Sequence, residues 1–301
     1  MLNRAYVCTQ TYLSTCRLNV KRIPEIFETI RLCYIAIMLD QTPLPVTEEF
    51  SLPPAARPAL WRGKDVLIIA LASIGLMLLL MLPPVGALML ANRANAIALT
   101  TPQNLLVISA VSFAAEAIGL IAAVWWFGLR RRKISWAEIG LRPISLGWVV
   151  ASVALTVVAA IVGGVAAVLV QMLMGADLNN NPQAQAIAPA GFSWPAAIVM
   201  TFLGGVAVPV GEEVFFRGVL HRWSSNKWGP IFGSIVSSLI FGLVHGFPAV
   251  IAFAFVMGLA IAFAYEQTKS LWPGIIIHIV NNSLKIALLY GVLANGLPIG
   301  T

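Results

Sequence analysis

Charge is scarce in this chain: 10% of its 301 residues are Asp, Glu, Lys or Arg, whereas 59% are hydrophobic. A soluble globular domain carries about a quarter charged residues, so that class is excluded at once. Cysteine is sparser still. The three present, Cys8, Cys16 and Cys33, all precede the first long apolar run and show no CxxC spacing. Their spacing gives little support to a disulfide framework or a metal site, and on a cytoplasmic side they would be free thiols. No HExxH occurs, which removes the common zinc-protease arrangement. No long-period repeat is visible, which counts against a transporter assembled from inverted halves. Charges interrupt residues 1–37, so no apolar core of a cleavable signal forms. That stretch reads as an extension, or as sequence ahead of a true start at Met38.

What the chain does have is apolar length. Seven stretches emerge, at about 66–91, 104–129, 146–174, 194–216, 230–247, 249–265 and 272–293. Most are long enough for a helix rising about 1.5 Å per residue to cross a hydrocarbon core of about 30 Å. The expected fold is all-α, a polytopic transmembrane bundle of about seven to eight helices. Residues 1–64 would form a cytoplasmic, partly disordered extension and residues 65–301 the membrane domain. Spans five and six are short and separated only by "GFP" (Gly246–Pro248), which predicts a tight helical hairpin. Pro83-Pro84 should kink or end the first span. Gly163-Gly164, Gly204-Gly205 and Gly258 should mark close helix packing.

The net charge of +7 does not point to nucleic acid, because the basic residues gather in loops on one side of the spans. "RRRK" (Arg130–Lys133), Arg142, Arg222, Lys227 and Lys269 share that side with the N-terminal arginines and lysines. By the positive-inside rule it is cytoplasmic, so seven crossings would leave the C-terminus outside. A bacterial chain of this kind would sit in the inner, or plasma, membrane. Trp61, Trp125, Trp126, Trp136, Trp148, Trp223, Trp228 and Trp272 fall near the same interface, as an aromatic belt would. His221, among "HRWSSNKW", reads as a solvated interfacial residue.

Ionisable residues within spans are functional candidates by default. Here they are concentrated late in the chain. "GEEVFFRG" closes span four with Glu212, Glu213 and Arg217, "FGLVH" closes span five with Phe241 and His245, and "HIVNN" in span seven holds His278 and Asn282. Glu213 and Arg217 are four residues apart and can pair on one helix face. Glu212, offset by about 100°, stays available for chemistry. His278 and Asn282 likewise share a face, with Asn281 turned away. A desolvated carboxylate can take a proton from water as general base, and imidazoles or an amide can hold that water or stabilise an oxyanion. Glu212, His245 and His278 are also an acceptable Zn²⁺ ligand set. Hydrolysis of a peptide bond at the membrane fits either case. Two residues stand apart from this set: Glu116, mid-span in the second helix, and Lys285, two turns beyond His278. Two readings stay open for them: they pair with one another, or Glu116 is protonated against a polar neighbour.

"EEVFFR", "FGLVH" and "HIVNN" resemble the EExxxR, FxxxH and HxxxN motifs of the CAAX prenyl endopeptidase and bacteriocin-processing family of intramembrane proteases. The resemblance covers about residues 136–289, with flanking loops "RRRKISWAEIGLRP" and "YEQTKSLWPGIIIH". It implies an intramembrane endopeptidase in which Glu212 activates water. His245, His278 and Asn282 would complete the catalytic set, and Glu213, Arg217 and Phe241 would support it. Members are described both as metalloproteases and as metal-free glutamate proteases, so zinc and no metal both stay open. The implied partner is a membrane-anchored or lipidated protein or peptide. A bacterial chain would process leader peptides or anchors rather than prenylated ends.

Two other functions use the same residues: a transporter or proton relay, and a non-catalytic membrane immunity or scaffold protein. One geometric conflict also arises. His245 lies about 22 Å along span five and His278 only about 9 Å along span seven. Both can meet Glu212 only if span five begins outside the lipid boundary or tilts strongly.

Overall fold

The computed structural model describes residues 59–91, 100–175 and 182–296. The three cysteines and nearly all of the N-terminal extension lie outside the described residues. Within them are eight helices and no strand: α1 Gly63–Ala91, α2 Pro102–Arg130, α3 Leu146–Leu173, α4 Pro182–Ile187, α5 Trp194–Trp228, α6 Pro230–Leu243, α7 Pro248–Thr268 and α8 Trp272–Ala294. Six are long and apolar enough to cross a membrane; α6 is a shorter apolar helix of 14 residues and α4 a single short segment. The polytopic helical bundle expected from the sequence is present. The count of seven full crossings is corrected, since α6 rises only about 21 Å against a core of about 30 Å.

Helix starts follow local chemistry. Thr101, Ser145 and Ser193 each accept a hydrogen bond from a backbone N–H in the first turn of α2, α3 and α5, satisfying donors that the helix itself cannot. Proline follows within the first two positions of α2, α5, α6, α7 and α8, where its missing N–H costs nothing. Pro83 and Pro84, by contrast, lie inside α1, which runs on to Ala91. The expected early end does not occur. In apolar surroundings the neighbouring backbone groups find no partners except helical ones.

Helices α5 and α7 are the interior of the bundle, each with 39% of its most apolar window buried, against 17% for α1 and α3. Helix α5 packs against α2, α6 and α8, and α7 against α3, α6 and α8. Glycines make these approaches possible where expected: Gly163 meets Phe253, Gly204 meets Phe113, Gly205 meets Ser283 and Gly258 meets Ser238, whereas Gly164 faces open space. Trp61 departs from the aromatic belt. It is buried, and its Nε1 donates to the carbonyl of Gly218 at 2.8 Å. Trp125, Trp126, Trp228 and Trp272 do remain exposed.

The main departure from the sequence reading is the length of α5. It does not stop near residue 216 but continues to Trp228, 35 residues in all, or about 52 Å. The polar "HRWSSNKW" is therefore helical. His221 is fully buried rather than solvated, with Nε2 2.8 Å from Oε1 of Glu266 and its ring edge-on to Tyr265. Polarity misled here because His221 and Ser225 pair with Glu266 near the end of α7, Arg222 with the Glu138 carbonyl and Ser224 with that of Gly233, rather than with water. The two flanking loops lock onto each other beside this overhang. Leu271 N–H donates to the Gly140 carbonyl at 2.7 Å, and Ser270 Oγ to that of Arg142 at 2.6 Å. Glu138, capped by the N–H and hydroxyl of Ser135, is held below the usual carboxylate range by those bonds and by nearby Arg222.

Candidate active site

Helix α5 is locally wound into π-helix twice, at Leu203–Ala207 and at Phe216–His221. A π-turn shifts the backbone register and leaves carbonyls for other donors, a frequent feature of functional helices. Both segments show this. Asn282 Nδ2 donates to the Gly204 carbonyl at 3.3 Å and Ser283 Oγ to that of Gly205 at 3.2 Å, while Gly218 receives Trp61. The motif carboxylates lie between the two segments, in the middle of α5 rather than at its end.

Glu213 and Arg217 pair as their spacing predicts, with Nε 3.5 Å from Oε2 and neither side chain exposed. That separation is long for a hydrogen bond. The guanidinium is held more closely elsewhere: Nη2 donates to the Gly258 carbonyl at 3.0 Å, and the group lies 4.9 Å from the ring centroid of Phe241. Glu213 turns its other oxygen, Oε1, to Nδ1 of His278 at 3.1 Å. Glu212 approaches the same imidazole from the opposite side, with Oε2 3.4 Å from Nε2. The two adjacent carboxylates thus converge on one ring, instead of pointing to separate surroundings. With a carboxylate facing each ring nitrogen, both contacts are satisfied when a second proton sits on the imidazole or on Glu212.

His245 reaches the same place from the α6–α7 turn. Its Nδ1 is 2.8 Å from the Phe241 carbonyl; a carbonyl only accepts, so Nδ1 carries the proton and Nε2 is left for another partner. Phe241 is the common neighbour, with ring centroids 5.0 Å from His245, 5.6 Å from His278 and 5.0 Å from Phe216. Edge-on packing of this kind fixes ring orientation.

Glu212, His245, His278, Asn281 and Asn282 all line one cavity of about 750 Å³, whose wall is otherwise mainly apolar. Glu213 and Arg217 lie behind that wall. The depth conflict disappears with the true length of α5. From Glu212 to Trp228 the helix runs about 24 Å, and α6 returns to His245 over about 22 Å, so the hairpin brings the histidine back level with the carboxylate. Span five does begin beyond the level at which α8 starts.

Some site neighbours left no sequence signal. Asn281 does not turn away: it is buried, lines the cavity and donates to Oδ1 of Asn282 at 2.9 Å. The Gly258 carbonyl that receives Arg217 is a backbone group, invisible to motif reading. Glu116 and Lys285 both line the cavity, but no ion pair joins them; Lys285 Nζ instead lies 3.2 Å from the ring centroid of Phe253. As to zinc, each imidazole has its Nδ1 backed by an acceptor, as metal-binding histidines do. Yet among the described residues no three His, Cys, Asp or Glu side chains stand together as a metal-holding group. The set Glu212, His245 and His278 does not close into one in this arrangement.

Residues 194–284 match the family model described as type II CAAX prenyl endopeptidase Rce1-like. Over 91 residues the chain is 30% identical to "Putative membrane peptidase YdiL" of Bacillus subtilis (strain 168), a stretch covering 30% of this chain and 37% of that protein. No solved structure matches. The resemblance carried by the three motifs is therefore shown. All of the motif residues, from Glu212 to Asn282, lie in the matched segment, which is narrower than the expected 136–289.

Proposed function

We propose that this chain is an intramembrane endopeptidase that hydrolyses a peptide bond of a membrane-anchored or lipidated protein with water activated by Glu212. One observation carries the reading: Glu212 stands against His278 at the wall of a largely apolar cavity of about 750 Å³ that His245 also lines, with Glu213 holding the far side of the His278 ring. The similarity to a membrane peptidase family supports the coarser part, and the geometry supports the residue roles.

In the proposed reaction a water molecule donates one hydrogen bond to the Glu212 carboxylate and another to Nε2 of His245. Its oxygen attacks the scissile carbonyl carbon while Glu212 takes the proton, which is general-base catalysis. The carbonyl oxygen becomes an oxyanion and is stabilised by a ring N–H of His278, with the second Asn282 N–H as a further donor. The C–N bond then breaks, and Glu212 returns the proton to the departing amine. Glu213 and Arg217 act from behind, Glu213 by orienting His278 through Nδ1 and Arg217 by neutralising Glu213. Phe241 sets the planes of both imidazoles. On the positive-inside argument the basic end of the bundle faces the cytoplasm, and the cavity would receive its substrate from that leaflet.

The test is a comparison of membrane proteomes from cells producing the wild-type chain or its Glu212→Gln form, reading new peptide termini by mass spectrometry. The expected result is a set of membrane-protein termini present only with the wild type, while both forms insert equally. Identical termini in the two samples would refute the assignment.

A further inference from the structure

Lys285 has no task in that reaction, yet it occupies a costly position. It lies thirteen residues into α8, about 20 Å from the helix start, at the depth of the hydrocarbon interior. A lysine there requires compensation and is a functional candidate. The compensation visible is the ring of Phe253, 3.2 Å from Nζ. A ring face satisfies one direction of an ammonium group that has three donors. Among the described residues no carboxylate forms an ion pair with it. Glu116 and Glu212 line the same cavity, but neither comes within pairing distance of the amine. The side chain is accessible, and the space it lines is the cavity that holds His278.

We propose that Lys285 is a binding subsite for a carboxylate of the substrate, a role that rests on the peptidase reading above. Lys285 follows His278 by seven residues, so the two share a face of α8 and are separated by about 10 Å along the axis. An extended peptide covers that distance in about three residues. A substrate whose scissile carbonyl lies at His278 would therefore place the carboxylate of a residue about three positions away over Lys285. A lipid phosphate is disfavoured by depth, because headgroups lie at the membrane surface and the amine does not. The carboxylate can belong to a chain terminus or to an acidic side chain. Both have the same chemistry, and the experiment separates them.

Full-length protein carrying Glu212→Gln, which binds without turnover, is placed in nanodiscs with a fluorescein-labelled apolar hexapeptide in three forms. One ends in a free carboxylate, one in an amide, and the third is amidated with Glu as its last residue. Binding is read by anisotropy. At least one acidic form should bind about tenfold more tightly than the plain amide, and the preferred form identifies the source. Lys285→Met should erase the preference while leaving amide binding unchanged, and Lys285→Arg should keep it. Equal binding of the three forms, or a preference that survives Lys285→Met, overturns the carboxylate subsite alone. If none of the forms binds, the peptide-binding reading of the cavity falls with it.

Discussion

A β-carbon at position 274 would stand 2.8 Å from Oε2 of Glu213 and 2.7 Å from Cγ2 of Ile261, so α8 can approach the buried carboxylate only with glycine there. The glycine sits one turn before His278. It thereby sets the distance at which that imidazole meets Glu213.

Gly274→Ala should therefore act on stability and activity together. Overpacking of this kind costs about 1–3 kcal/mol, and any relief by moving α8 outward lengthens the His278–Glu213 contact. Thermal unfolding in detergent and the cleavage rate of the same sample check this. An unchanged melting temperature would mean that the contact relaxes freely.

Arg217 should be intolerant of removal by itself. Arg217→Met leaves the Glu213 carboxylate buried with no counter-charge, a loss of about 3–5 kcal/mol. Adding Glu213→Gln removes that charge and should recover much of the stability without restoring activity. A double variant no more stable than Arg217→Met would argue that the guanidinium acts through the Gly258 carbonyl instead.

The motif spacing alone made much of the candidate site legible. Glu213 and Arg217 pair, His278 and Asn282 line one cavity, and Gly246 turns α6 back into α7. What failed did so for physical reasons. Polar composition ended span four at residue 216, because a helix end solvated by water and one buried against protein look alike in sequence. His221 illustrates the error. Its partner Glu266 is 45 residues away, and local pattern carries no information about a contact of that range. The convergence of Glu212 and Glu213 on one imidazole was hidden for a related reason: an ideal turn of 100° per residue describes a single helix, whereas His278 sits between the two carboxylates on another. The π-turns that re-aim α5 have no sequence signature here beyond Gly204, Gly205 and Gly218.

The burial of His221 can be checked directly. His221→Ala removes the partner of Glu266 at the base of α5 and should lower stability by about 1–3 kcal/mol. The turnover number of the folded fraction should change little, since His221 lies about two and a half turns from Glu212 along α5. A solvated residue would give no change in melting temperature.

Cleavage should persist after treatment with phenanthroline, because the Glu212, His245 and His278 side chains do not close into a three-ligand group. The measurement is residual activity with metal content determined on the same protein. Loss of activity that zinc restores would show that these side chains move together to bind the ion.

The most direct test of the shared site is a double-mutant cycle on Glu212 and His278, with cleavage of one identified substrate measured under single-turnover conditions. Glu212→Gln and His278→Ala should each lower the rate by about 10²–10⁴, and the double variant should be scarcely slower than the worse single one, as for groups that act as a unit. Multiplicative losses, or a Glu212→Gln enzyme that still cleaves at the wild-type rate, would contradict the account.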